Sequence, residues 1–182
     1  MKFILTFLLL VSGQISIFSQ SMDISVDSGK ISGKQHAFYV ELLGNGFFYS
    51  VNYDWIFIDK QNINISARVG LTYMPHWERF TEVRGPGIPL ELNFLLGKKA
   101  HFIELGLGAT YFYFYEPYDK IHFNFLMETL RLGWRYQKPA GGLMLRVAVV
   151  PIATFSIDRR FDDEGWIVPY FFGISIGYTL LR

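Results

Sequence analysis

The feature that most constrains this chain is a hydrophobic period of two that begins near Gln35 and recurs to the C-terminus. Eight segments carry it. Phe38, Val40 and Leu42 share one face of the first. In the second, Phe47, Tyr49, Val51, Tyr53 and Trp55 oppose Phe48, Ser50, Asn52 and Asp54. The third sets Ile63, Ile65, Ala67, Val69, Leu71 and Tyr73 against Asn64, Ser66, Arg68, Gly70 and Thr72. In the fourth, Ile88, Leu90, Leu92, Phe94 and Leu96 oppose Pro89, Glu91, Asn93 and Leu95. The fifth places Ile103, Leu105, Leu107, Ala109, Tyr111 and Tyr113 against Glu104, Gly106, Gly108 and Thr110. The seventh aligns Leu143, Leu145, Val147 and Val149; the eighth aligns Tyr170, Phe172, Ile174, Ile176, Tyr178 and Leu180 against Gly173, Ser175, Gly177 and Thr179. Successive side chains of an extended chain point to opposite sides, so each segment reads as a β-strand with one apolar face.

A soluble sandwich also alternates, with its apolar face toward a core. Three details favour a membrane barrel. Lysine is missing from the strands: Lys60, Lys98, Lys99, Lys120 and Lys138 all fall in connections, whereas a soluble sheet places lysine on its wet face and edges. Aromatics collect near strand ends (Tyr53 and Trp55, Tyr111 and Tyr113, Trp134 and Tyr136) and leave aliphatic middles such as Leu105 and Leu107, which matches headgroup and acyl zones. Connections also alternate in length. Asp59 to Asn62, Gly97 to Ala100 and Gln137 to Gly141 are short; Pro75 to Gly87, Phe114 to Ile121 and Ile152 to Val168 are longer. This is the rhythm of a barrel with both termini and its short turns in the periplasm. The first connection, Gly44-Asn45-Gly46, departs from it as a tight turn on the outer side. The expected fold is therefore an all-β, eight-stranded antiparallel up-and-down transmembrane β-barrel over residues 35–182.

The sixth segment changes parity. Phe123, Phe125 and Met127 share one face, and Leu130, Leu132, Trp134 and Tyr136 the other. A β-bulge at Met127 to Thr129 would reconcile them and keep Glu128 off the lipid face. The inward set then holds Glu41, Asp54, Glu91, Glu104 and Glu128 with Arg68, Arg131, Arg135 and Arg146. Side chains fill a barrel of this size. Buried charges need partners, so an ionic plug and negligible conductance are expected.

Ahead of the barrel, Lys2, the apolar run Phe3 to Val11 and the small and polar residues Ser16 to Gln20 have the layout of a secretory signal peptide over 1–20, cleaved near Ser19 or Gln20. The run is shorter than the ~20 residues of a membrane-spanning helix. Residues 21–34, with Asp23, Asp27, Lys30 and Lys34, form a polar leader. The chain has no cysteine, which excludes disulfides and thiolate chemistry, and its net charge of +1 gives no footprint for nucleic acid.

The run Val40-Glu41-Leu42-Leu43-Gly44-Asn45-Gly46 leading into Tyr49-Ser50-Val51-Asn52-Tyr53, and Leu132-Gly133-Trp134-Arg135-Tyr136-Gln137 followed by Gly141-Gly142 and Arg146, resemble small outer-membrane β-barrel proteins of the OmpA/OmpX type, in particular the uncharacterised "outer membrane protein beta-barrel domain" family. The resemblance covers most of the chain after the leader. It implies a cell outer-membrane location in a Gram-negative envelope, with the barrel insertion machinery, outer-membrane lipids and lipopolysaccharide as partners, and supplies no catalytic residues. Such chains often end on an aromatic residue; this one ends Tyr178-Thr179-Leu180-Leu181-Arg182, which shifts the insertion signal to Phe172, Ile176 and Tyr178.

The expected role is structural or surface-interacting and non-enzymatic, as a monomer without cofactor or metal. The alternative is a lipid-modifying enzyme of the lipid A deacylase or acyltransferase type, which needs a Ser/His/acid group at the outer leaflet. His76, His122 and Ser156 fall in or beside outer loops, with no spacing that links them; His36 and His101 fall at the opposite rim. Asp158, Asp162, Asp163 and Glu164 lack the spacing of a calcium loop and are interleaved with Arg159 and Arg160, which reads as a solvated loop. Trp77 and Trp166 in the outer loops are the positions for contact with a partner or glycan.

Overall fold

A computed structural model describes residues 35–60, 62–76, 82–156 and 167–181. The signal and leader, and the loop residues Trp77, Asp158, Arg159, Arg160, Asp162, Asp163, Glu164 and Trp166, lie outside the described residues. The strands are β1 (Gln35–Leu43), β2 (Tyr49–Asp59), β3 (Ile63–Met74), β4 (Gly85–Lys98), β5 (His101–Glu116), β6 (Ile121–Gln137), β7 (Gly142–Val149), β8 (Ile152–Ser156), β9 (Ile167–Val168) and β10 (Phe172–Leu181). Consecutive strands from β1 to β7 pair antiparallel, β7 pairs with β10, and β10 pairs with β1, so the sheet closes.

Ten strands make eight staves. β7 and β8 pair with β6 in one continuous register, from Gln137 opposite Met144 to Phe125 opposite Ser156. Pro151 interrupts the stave but still accepts a backbone bond from Leu130 at 3.1 Å. β9 and β10 form the last stave, parted near Pro169. Proline has no N–H to give the ladder, so each break falls where a donor is missing. The result is an all-β, eight-stranded, up-and-down barrel.

Burial alternates along the staves as the period of two requires. In β4 every second residue from Gly85 to Leu95 is buried, while Ile88, Leu90, Leu92 and Phe94 stand outward. One barrel end carries the β2–β3, β4–β5 and β6–β7 turns; we call it the turn end. The other, the hook end, carries the Gly44–Gly46 segment.

Four expectations are corrected here. First, β6 has no bulge. Its ladder to β5 runs unbroken from His101–Tyr136 to Glu116–Ile121. Phe123, Phe125 and Met127 therefore face inward and Glu128 faces outward, between Ala109 and Ala153 on the adjacent staves. The bulge occurs in β2 instead, where the register shifts between Ile56 and Ile58. Second, Gly44–Gly46 is a 3-10 turn folded into the lumen, with Asn45 fully buried. Third, Phe47 is not on the outward face of β2: it follows the hook at φ 67 and packs on the inner aromatic cluster. Fourth, β5 and β6 run on to Glu116 and Ile121, so their connection is tight rather than long, β8 takes up Ile152–Ser156 from the last loop, and β4 runs on to Lys98, which is the last residue of a strand rather than part of a connection.

The interior is layered. At the turn end Ile56, Leu95 and Phe102 form one apolar cluster, and Ala37, Tyr39 and Met144 another. At the hook end Met74, Phe112, Phe114, Met127 and Ile152 are buried together, with Phe47, Phe48, Phe123, Phe125 and Phe171 packed around them. Between these layers lies a belt of charge.

Candidate functional site

Four carboxylates, Glu41, Asp54, Glu91 and Glu104, and four guanidiniums, Arg68, Arg131, Arg135 and Arg146, are buried in the lumen. They come from β1, β2, β4 and β5, and from β3, β6, β6 and β7. Each stands at an inward position of its strand, so the period of two aims them all at the axis. Glu128 is not among them, and its outward placement leaves the lumen with equal numbers of opposite charges.

The eight groups form one connected network. Arg68 lies 2.5 Å from Glu41 and 3.5 Å from Glu91. Arg131 lies 2.7 Å from Glu41 and 3.0 Å from Glu91, which closes a four-membered ring of alternating charge. Arg146 extends the ring from Glu91, at 3.0 Å, to Glu104, at 2.8 Å. Arg135 then bridges Glu104, at 3.4 Å, and Asp54, at 2.6 Å. Bidentate and shared contacts of this kind suit the planar guanidinium fork and leave no isolated charge in a low-dielectric interior.

Neutral groups add to the shell, while Arg131 Nη1 is left without a hydrogen-bond partner among the described residues. Arg68 Nε donates to Asn52 Oδ1 at 2.9 Å, and Ser66 Oγ donates to Asp54 Oδ2 at 3.0 Å. Arg135 Nε donates to Gln137 Oε1 at 2.6 Å, and Ser175 Oγ donates to Glu41 Oε1 at 3.2 Å. With Ser175 on β10, every stave contributes to the network. Tyr39 sits between two cations: Arg68 Cζ is 5.5 Å and Arg146 Cζ 5.1 Å from its ring centroid, and its hydroxyl accepts a bond from Arg146 Nη1. Guanidiniums are held over an aromatic face by the ring quadrupole.

The hook reaches the same network. Asn45 Nδ2 donates to Glu91 Oε2, and its Oδ1 accepts from Arg131 Nη2 at 3.0 Å. Its backbone carbonyl accepts from Thr110 Oγ1 at 2.7 Å, and that of Gly46 from Thr72 Oγ1 at 2.9 Å. Gly44 adopts φ +66, and a Cβ there would stand 2.7 Å from Glu41 Cδ. Glycine is required at this position on both counts. Sequence reasoning missed Tyr39 and Asn45. Tyr39 lies at an inward position beside Glu41, so parity could have found it. Asn45 lies in a turn, where parity has no meaning.

The histidines are placed on the rims. His36 Nδ1 is 2.5 Å from Tyr53 Oη, and His101 stacks on Trp134, both at the turn end. At the hook end His122 lies against Tyr113 and Tyr115, and His76 against Tyr118. The side chain of Ser156 is outside the described set. Among the described residues no three His, Asp or Glu side chains are grouped as a metal would require.

Compared with protein-family models, curated proteins and solved structures, the chain matches none.

Proposed function

We propose that this barrel is an integral outer-membrane protein with a closed lumen, serving a structural or surface-interaction role without catalysis. The observation that carries the reading is the outward face. Val40 and Leu42, Val51, Leu71, Leu90, Ile103 and Leu107, Leu132, Val147, and Ile174 and Ile176 form an exposed aliphatic girdle around the staves. Leu71 is 68% and Ile176 60% exposed. Soluble monomers rarely expose contiguous apolar patches beyond a few hundred Å². Aromatic side chains flank the girdle, with Trp55, Trp134 and Tyr178 toward the turn end and Tyr73, Tyr111 and Tyr113 toward the hook end. Apolar-out and polar-in is the arrangement for a lipid environment and the reverse of a soluble ligand-binding barrel.

The closed lumen follows from its contents. A ring of paired charges in mid-barrel and a phenylalanine cluster at the hook end leave the eight-stave interior filled by side chains. The signal-like N-terminus and the resemblance to OmpA/OmpX-type barrels support export and periplasmic termini, with outer-membrane lipid, lipopolysaccharide and the insertion machinery as partners of a monomer.

The test is fractionation of cells expressing the full chain. The protein is expected in the outer-membrane fraction, resistant to carbonate extraction and heat-modifiable in gel mobility. Recovery as a soluble periplasmic species would overturn the membrane reading. A change in lipid A acylation on deletion, unrestored by His122→Ala, would overturn the non-enzymatic reading in favour of a lipid-modifying enzyme.

A further inference from the structure

Glu128 is the carboxylate that the lumen network leaves out. It stands on the outward face of β6, flanked along the strand by Leu126 and Leu130 and across it by Ala109 on β5 and Ala153 on β8. It makes no hydrogen bond or ion pair among the described residues, whereas Glu41, Asp54, Glu91 and Glu104 each contact at least one arginine. The two alanines are short, so the carboxylate is reachable across three staves. One level toward the hook end, the Tyr111 hydroxyl donates to Asn124 Oδ1 at 2.5 Å. Glu128 thus sits within the aliphatic girdle, one level from the Tyr111 position of the hook-end aromatic rim.

We propose that Glu128 is the docking point for an amine-bearing lipid headgroup on the outward β5–β6–β8 face. The proposal rests on the outer-membrane reading and deepens it. A bare carboxylate at that depth is unfavourable, and a cation offsets the cost. Among the described residues no Lys or Arg supplies one. Among the described strands the outward lysine is Lys98, at the turn end; His122 lies on the outward face of β6 six residues away, against Tyr113 and Tyr115, and Arg84, before β4, stacks 5.3 Å over the Tyr115 ring. Two copies in one membrane lie at equal depth, so the described residues of a second copy bring no Lys or Arg to Glu128 either. A lipid ammonium reaches this level without a dedicated partner. It carries N–H donors for the carboxylate, and its acyl chain lies along Leu130 and Leu107, below Ala109.

The experiment folds the full chain, and its Glu128→Gln and Glu128→Leu variants, into vesicles of equal phosphatidylethanolamine and phosphatidylglycerol, then compares retained lipids by native mass spectrometry. Wild type is expected to retain phosphatidylethanolamine about two- to fivefold above the bulk ratio, the range of an exposed ion pair. Both variants are expected at the bulk ratio. Glu128→Leu removes the polar group from the girdle and should still fold. Wild type at the bulk ratio, or enrichment kept by both variants, overturns the proposal. So does loss of a crosslinked protein partner in cells by Glu128→Gln with lipid ratios unchanged, which assigns the carboxylate to a protein contact. Failure of the membrane reading looks different: no heat-modifiable barrel then forms in any vesicle, and both readings fall together.

Discussion

Arg131 Nη2 lies 2.7 Å from Glu41 Oε1, a contact that joins β6 to β1 across 90 residues of sequence and through the barrel axis. Arg131 also holds Glu91, and Glu41 also holds Arg68, so no pair in the lumen is independent of the others. Removing Glu41, Glu91 or Glu104 from such a set strands at least two guanidiniums at once.

Glu91 has the most partners, with Arg68, Arg131, Arg146 and Asn45 all on its oxygens. Glu91→Gln is expected to destabilise the folded barrel by about 3–5 kcal/mol, because it leaves uncompensated buried cations. Urea titration in vesicles measures it. Removing both charges of a peripheral pair, as in Asp54→Leu with Arg135→Met, is expected to cost less than Arg135→Met alone. A larger loss for the double variant would show that the pair itself, not its unbalancing, dominates.

The filled interior predicts the electrical behaviour. Purified protein in planar bilayers is expected to show no stable, large conductance steps. Sustained open-channel currents from the wild type would contradict a lumen closed by the charge ring and the phenylalanine layer.

Asn45→Ala removes one donor to Glu91 and one acceptor from Arg131, and should destabilise by about 1–3 kcal/mol through the unsatisfied partners. Gly44→Ala meets both a left-handed φ and the Glu41 carboxyl carbon, so it is expected to be at least as damaging. Equal stability of either variant and wild type in denaturant titration would mean that the hook is not held in the lumen.

The hook-end cluster should behave as an ordinary core. Phe112 is 1% exposed and stacks on Phe114 at 4.9 Å between ring centroids. Phe112→Ala is expected to cost about 3–5 kcal/mol, as large-to-small changes in packed cores do. A loss under 1 kcal/mol in vesicle unfolding would show that this layer is loosely packed.

Much of the fold was legible because a period of two assigns each residue to a side. The outward and inward sets of β3, β4, β5, β7 and β10 follow it, and eight of the nine expected lumen charges meet there. Reading the sixth segment required knowing what waits inside. Phe123, Phe125 and Met127 face inward because Phe114, Phe112, Met74 and Ile152 form an apolar layer for them. An alternation rule that equates apolar with outward misplaces them and, with them, Glu128. The glycines of Gly44-Asn45-Gly46 announced a turn with positive φ, but not its direction. Local backbone freedom says nothing about whether Asn45 finds water or Glu91.

By itself, then, the sequence determined the eight staves, the facing of β1, β3, β4, β5, β7 and β10, and eight of the charges confined together, since these depend on residue-by-residue alternation. Only the tertiary structure decided which carboxylate meets which arginine, that the hook turns inward, and that β6 runs straight and carries Glu128 outward. Those outcomes depend on contacts between residues far apart in the chain, which exist only once the barrel has closed.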